Sequence, residues 1–224
     1  TCLDAQVQHL AENYICLRVS KDDWRLPEGH RSALFDQISL DAIRKVPGLV
    51  VVDFCDPQSP TYGHIVGWLP FETPTYYAPD YESSRSVATF LGLPRGSLTQ
   101  RMLIYAIRIH PEGAESTSGL SSPGLLVAAT QHSQRQANLQ RQGHHHWDQR
   151  FRKLWPILGG KPPVEICAES WPDESLLRAC LGCVHAWRQS AGHWRAVANE
   201  RAFFGYDICR GKNGIWYATG ILGG

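Results

Sequence analysis

The chain has 224 residues, 43 % of them hydrophobic and 19 % charged, which is enough apolar surface for a packed core and excludes a disordered chain. A net charge of +1 excludes a basic field aimed at nucleic acid, and no dense Lys/Arg cluster marks a membrane surface. No apolar run approaches the roughly 20 residues that span a bilayer, and seven scattered cysteines are too few, and odd in number, for a disulfide scaffold.

The chain opens Thr1-Cys2-Leu3, without Met or a visible signal peptide, and reads as a fragment or processed product. From Asp4 to Asn13, Val7, Leu10 and Ala11 recur at helical spacing. Tyr14 to Val19 has the β-branched and aromatic content of a strand. A second helix is expected from Ser32 to Lys45, carrying Leu34, Phe35, Ile38, Leu40 and Ile43, until Pro47-Gly48 breaks it. Leu49 to Phe54 is a near-continuous apolar run, expected of a strand buried on both faces, and His64 to Leu69 is its partner. Tyr81 to Leu91 predicts a closing helix with Val87, Phe90 and Leu91 inward.

The order over residues 1–92 is helix, strand, helix, strand, strand, helix, and it resembles a thioredoxin-like fold lacking its first strand. The resemblance is one of topology, carried by Val7-x-x-Leu10 followed by Tyr14-Ile15-Cys16-Leu17-Arg18-Val19. It implies a thiol-disulfide oxidoreductase, in which a Cys-x-x-Cys opens the first helix. Only Cys2 stands near that place, so redox chemistry here requires a second cysteine ahead of Thr1; the competing reading of Cys2 is a helix-start residue without redox role.

Gly92 to Ser97 is punctuated by Gly and Pro, which marks 93–97 as a linker, and Gln100 to Ile109 continues as a helix with Leu103, Ile104, Ile107 and His110 on its inner face. Leu125 to Gln142 predicts a long helix; Ala129, Ser133 and Ala137 permit close approach of a neighbour, and Gly143 is its stop. His144-His145-His146-Trp147 follows, then a short helix from Asp148 to Leu154. Pro172 and Asp173 announce a further helix with Leu176, Leu177, Cys180, Cys183 or Val184, and Trp187 on one face, running toward Trp194. The end is a hairpin: Phe204, Tyr206 and Ile208 alternate on one strand, and Ile215, Tyr217, Thr219 and Ile221 on the other, with Asn213-Gly214 supplying the positive-φ turn.

Four landmarks in this half occur in a fixed order: a helix running into a histidine, Ala168-Glu169-Ser170, Trp187-x-x-Ser190-x-Gly192-His193, and Gly205-Tyr206 with Trp216-Tyr217. Over residues 98–224 the set resembles the CAP superfamily (SCP, or pathogenesis-related-1-like) in its shorter bacterial form. The expected fold class is therefore mixed, α/β and α+β: a truncated thioredoxin-like domain followed by a CAP-type α-β-α sandwich.

The CAP resemblance implies a cleft lined by two histidines and an acid. His193 and Glu169 match the family positions, with Glu165 as the fallback acid. The other histidine falls among His144, His145 and His146, and spacing favours His144; on an extended stretch, His144 and His146 would share a face. The family's second acid has Gln189 or Ser190 in its region, which puts a four-residue mechanism in doubt. Two imidazoles and a carboxylate can hold zinc, with His144 and His193 as the ligands, or act as acid and base without metal.

The leading expectation is an extracytoplasmic binding module, weakly catalytic or non-catalytic, for a small molecule, lipid or peptide. The alternatives are a zinc-assisted peptidase using the same cleft and the oxidoreductase described above. Cys180-x-x-Cys183 has redox or half-zinc spacing but falls on an apolar helix face, where two small buried residues are expected; Cys167 and Cys209 are candidates for a pair across the sheet.

Overall fold

The computed structural model describes residues 4–17 and 46–224, and the fold is mixed α/β. The chain divides into two compact units, one of residues 1–74 and 79–101 and the other of 75–78 and 102–224. The linker expected at 93–97 lies just ahead of the point where the second unit takes over.

In the first unit, α1 (Ala5–Ala11) starts where Asp4 accepts from the amides of Gln6 and Val7, satisfying two of the donors a helix start leaves orphaned. Val7 packs with Val87 and Ala88 of α2 (Ser84–Leu91), against Leu10, Leu49 and Leu91. The stretch after α1 departs from the expected strand. Tyr14 to Leu17 are irregular, Ile15 and Leu17 are exposed, and the Tyr14 hydroxyl donates to Leu91 O at 2.7 Å instead. Cys2, Arg18, Val19 and the helix expected over 32–45 lie outside the described residues.

β1 (Gly48–Val52) pairs antiparallel with β2 (Ile65–Pro70) in a sheet that, among the described residues, has these two strands only. β1 is half-buried rather than covered on both faces, so its apolar run overstated its burial.

Helix α3 (Leu98–Arg108) leads into the second unit, where Leu103, Ile104, Ile107 and His110 are buried. A mixed four-stranded sheet forms there in the order β3-β5-β6-β4. β3 (Leu120–Ser121) runs parallel to β5 (Phe203–Arg210), which pairs antiparallel with β6 (Trp216–Gly223), and β6 with β4 (Val164–Glu169). The hairpin between β5 and β6 closes with Gly211 N–H donating to Ile215 O at 2.7 Å; only Gly214, at φ 79°, has positive φ, not Asn213. β4 was not expected from the sequence: Pro162-Pro163 hides its start.

Helix α4 (Pro123–Leu139) lies directly on one sheet face. A Cβ at Gly205 would stand 2.3 Å from the Leu125 carbonyl carbon, so glycine sets the approach of helix to strand. Leu125, Ala128 and Ala129 form a core there with Ile221 and with Leu154 and Leu158 at the end of α5 (Trp147–Ile157). α6 (Leu176–Arg188) serves the other face, its Trp187 ring 6.0 Å from Tyr206. The helix expected to run on to Trp194 breaks at Gln189-Ser190, and α7 (Ala191–Ala198) begins afresh. No helix among the described residues is long and apolar enough to cross a membrane.

Candidate functional site

Four elements of the second unit bring their polar side chains together: the turn after α4, the first turns of α5, strand β4, and the first turn of α7. α4 stops at Leu139, three residues earlier than its apolar pattern suggests, because Gln140 takes the left-handed conformation (φ 50°) and Arg141 N–H returns to Gln136 O. The buried Gln136 side chain then spans helix, sheet and turn. Its Nε2 donates to Thr219 Oγ1 at 2.9 Å, and its Oε1 accepts from Gly143 N–H at 3.0 Å. Gly143 thus arrives at a fixed height above the sheet, with His144 next in line.

On β4, Glu165 and Cys167 alternate with Ile166 and Ala168, so the acid and the thiol share the face that α4 covers. The Glu165 side chain is 0 % exposed. His144 Nδ1 lies 3.0 Å from its Oε1. Arg150 of α5 donates Nε to Oε2 at 2.7 Å and Nη2 to Oε1 at 2.9 Å, a two-pronged contact that supplies the countercharge a buried carboxylate requires. A carboxylate only accepts, so the His144 hydrogen sits on Nδ1 and the Nε2 lone pair is left open, on a side chain 44 % exposed.

His193, half-buried on α7, has its ring centroid 6.3 Å from that of His144. Burial, and then the nearby His144, hold its pKa below the ordinary histidine value. The neighbouring Trp194 anchors the helix: its Nε1 donates to Glu112 Oε2 at 3.0 Å, its ring meets His110 at 4.4 Å between centroids, and Arg188, which also donates to Glu112, lies over it.

The expected site residues therefore separate. His144 and His193 come together. His145 Nε2 donates to Arg141 O, and His146 turns away at φ 58° as the residue before α5, where its Nε2 accepts from Arg135 at 2.7 Å. The run 144–146 is bent rather than extended, so His144 and His146 do not share a partner. Glu169 ends β4 exposed, and no hydrogen bond or ion pair joins it to either histidine; the acid at the histidines is Glu165. Ser170, beside Glu169, is a structural pin: it exchanges two hydrogen bonds with the Trp216 backbone and holds β4 to β6. Arg150 and His132 carried no sequence signal. They look like an ordinary helix cation and a core position until β4 passes beneath them.

His132 Nε2, Glu165 and Cys167 offer donor atoms within 4.8 Å of one another, a set whose composition suits a metal. His132 Nδ1 is buried without a hydrogen-bond partner, while the other donors are occupied. His132 Nε2 points at Gly143 O at 2.9 Å, Glu165 is held by Arg150 and His144, and burial pushes the Cys167 thiol well above its usual range. Burial holds His132 itself down at about 4. In the cleft, Glu165 bonded to Nδ1 of His144 orients that ring as carboxylates orient metal-bound histidines.

The remaining cysteines do not form the pairs considered. Cys180 and Cys183 are free and fully buried, with thiols pushed up by burial; Cys167 and Cys209 are free and lie on β4 and β5, with β6 between them. No family model matches the chain, and no curated protein matches it.

Proposed function

We propose that the second half of the chain is a CAP/SCP-like extracytoplasmic binding module whose recognition element is the His144–His193 pair seated on Glu165 and Arg150, with catalysis weak or absent. The observation that carries this reading is the 3.0 Å contact of His144 Nδ1 with a fully buried Glu165, beside His193 at 6.3 Å between ring centroids. It leaves one imidazole nitrogen oriented and unengaged next to a second ring, close enough for one small group to touch both. The helices on either face of the sheet, and the order of the four landmarks along the chain, support the same reading. Low catalytic power follows from Glu165: its side chain is fully buried and held by Arg150 and His144, so water does not reach it to give up a proton.

The test is a saturation-transfer NMR screen of the whole chain against short peptides, lysophospholipid and a fragment set, run beside an assay for peptide-bond cleavage. Binding without turnover, lost in His193→Ala and in His144→Ala, is the expected result. Binding that both variants retain would remove the cleft from the account.

A zinc-assisted peptidase is the second reading, favoured by the carboxylate-oriented His144 ring. There zinc would be held by His144 and His193 and would polarise the scissile carbonyl. Stoichiometric zinc lost on His193→Ala favours it, and failure to bind zinc at neutral pH counts against it. Thiol-disulfide chemistry through the first half rests on Cys2 and on a cysteine ahead of Thr1.

A further inference from the structure

We propose that Arg150 is the positioning residue of the cleft: it clamps the Glu165 carboxylate and the His144–His146 backbone together, and so dictates which nitrogen of His144 carries the hydrogen. The inference rests on the reading of His144 and His193 as the binding pair.

Three contacts of one guanidinium carry it. Nε and Nη2 take the two oxygens of Glu165 at 2.7 and 2.9 Å, which fixes the carboxylate plane. Nη1 donates to His145 O at 2.6 Å, which ties the same guanidinium to the histidine turn. The acid and the ring it orients are therefore held by one rigid fork, and Oε1 is delivered to His144 Nδ1 at 3.0 Å. Neighbours cannot take over the task. His132 Nε2 is 3.6 Å from Oε1 and bonded to Gly143 O, and the Cys167 thiol approaches Oε1 at only 3.9 Å. A lysine in place of Arg150 would supply charge but not the planar fork, since one ammonium cannot hold both oxygens in plane and also reach the turn.

The guanidinium rises from the first turns of α5, near the Trp147 ring at 5.8 Å, so its direction is set by a helix and not by a loop. The helix starts immediately after the histidines: His146 is its N-cap, and the Arg150 backbone N–H donates to His146 O. Turn, helix start and fork form one device.

The test is the tautomer of His144, read by long-range ¹H–¹⁵N correlation on the histidine-labelled whole chain at a pH where the ring is neutral. In the unaltered protein Nδ1 should give a pyrrole-type and Nε2 a pyridine-type signal. In Arg150→Met the carboxylate loses its fixed plane, and the ring should shift toward the Nε2–H form that free imidazole side chains prefer in water. Arg150→Lys should behave like Arg150→Met, and provides the answer if the methionine variant does not fold. Glu165→Gln should also reverse the tautomer, because its amide can donate to Nδ1. A single Nδ1–H tautomer retained in a folded Arg150 variant, or an Nε2–H tautomer in the unaltered protein, overturns the proposal. The result does not depend on any ligand: a cleft that binds nothing in the screen above leaves this readout intact.

Discussion

Gln136 fastens Gly143 to the sheet: one end of its amide accepts from the Gly143 N–H at 3.0 Å while the other donates to Thr219 Oγ1 at 2.9 Å. Replacing Gln136 by Leu strands the part-buried Gly143 N–H, at roughly 1–3 kcal/mol, and takes the amide donor from the buried Thr219 hydroxyl, at about 1 kcal/mol. We expect a loss of about 2–4 kcal/mol in urea unfolding on that basis. Hydrogen exchange at residues 140–146 should also accelerate relative to β5 and β6. An unchanged exchange pattern with lowered stability would show that the glutamine is packing only.

His132 supplies a pH dependence with a definite sign. Its pKa falls to about 4 in the folded chain, first because it is buried and then because of Arg150 and His145, with Glu165 and the Gly143 carbonyl opposing. The unfolded chain, with an ordinary value near 6.5, binds more protons between those two pH values. Stability is therefore complete above about pH 6.5 and declines as pH falls toward 4, by roughly 3 kcal/mol if the whole difference is expressed. His132→Gln, which can still donate to Gly143 O, should flatten that slope in urea unfolding at pH 7, 5.5 and 4. An equal slope in the variant would assign the acid sensitivity elsewhere.

Two glycines in the second unit should respond oppositely to alanine. Gly205 has backbone of Leu125 within 2.3 Å of the added carbon, and neither helix nor strand can yield, so Gly205→Ala should cost about 3 kcal/mol or more, or prevent folding. Gly192, inside α7, has nothing within 4 Å of the added carbon, so Gly192→Ala should stabilise by about 0.4–1 kcal/mol. Thermal unfolding of the two variants distinguishes the cases, and a destabilising Gly192→Ala would mean that the turn before His193 needs glycine for another reason.

Thiol reactivity should follow burial. Cys16 and Cys55 are exposed and should be alkylated first in the native protein. Cys209 should follow slowly, since its thiol donates to Gln134 Oε1 at 3.3 Å and burial raises it to about 11. Cys167, Cys180 and Cys183 should react only on unfolding. Peptide mass mapping after brief iodoacetamide treatment checks the order, and early labelling of Cys180 or Cys183 would reopen the redox reading of that pair.

Helices of the second unit were legible because their apolar residues repeat with the helical period, as in α6, and because small residues recur at 129, 133 and 137 of α4. The closing hairpin was legible through strict alternation and Asn213-Gly214. His144 and His193 were reachable as candidates because the residues around them keep a recognisable order. The acid could not be chosen that way. Glu165 and Glu169 sit on the same strand, four positions apart and on the same face, and nothing in a linear pattern tells which end of β4 lies under the histidine turn. Only the register of β4 on β6, with Glu165 opposite Ile221 and Glu169 opposite Tyr217, settles it. The same pairing buries Glu165 where Arg150 can reach it and leaves Glu169 in solvent. A buried charge is decided by what surrounds it in space, and that information exists only once strand, turn and helix have met.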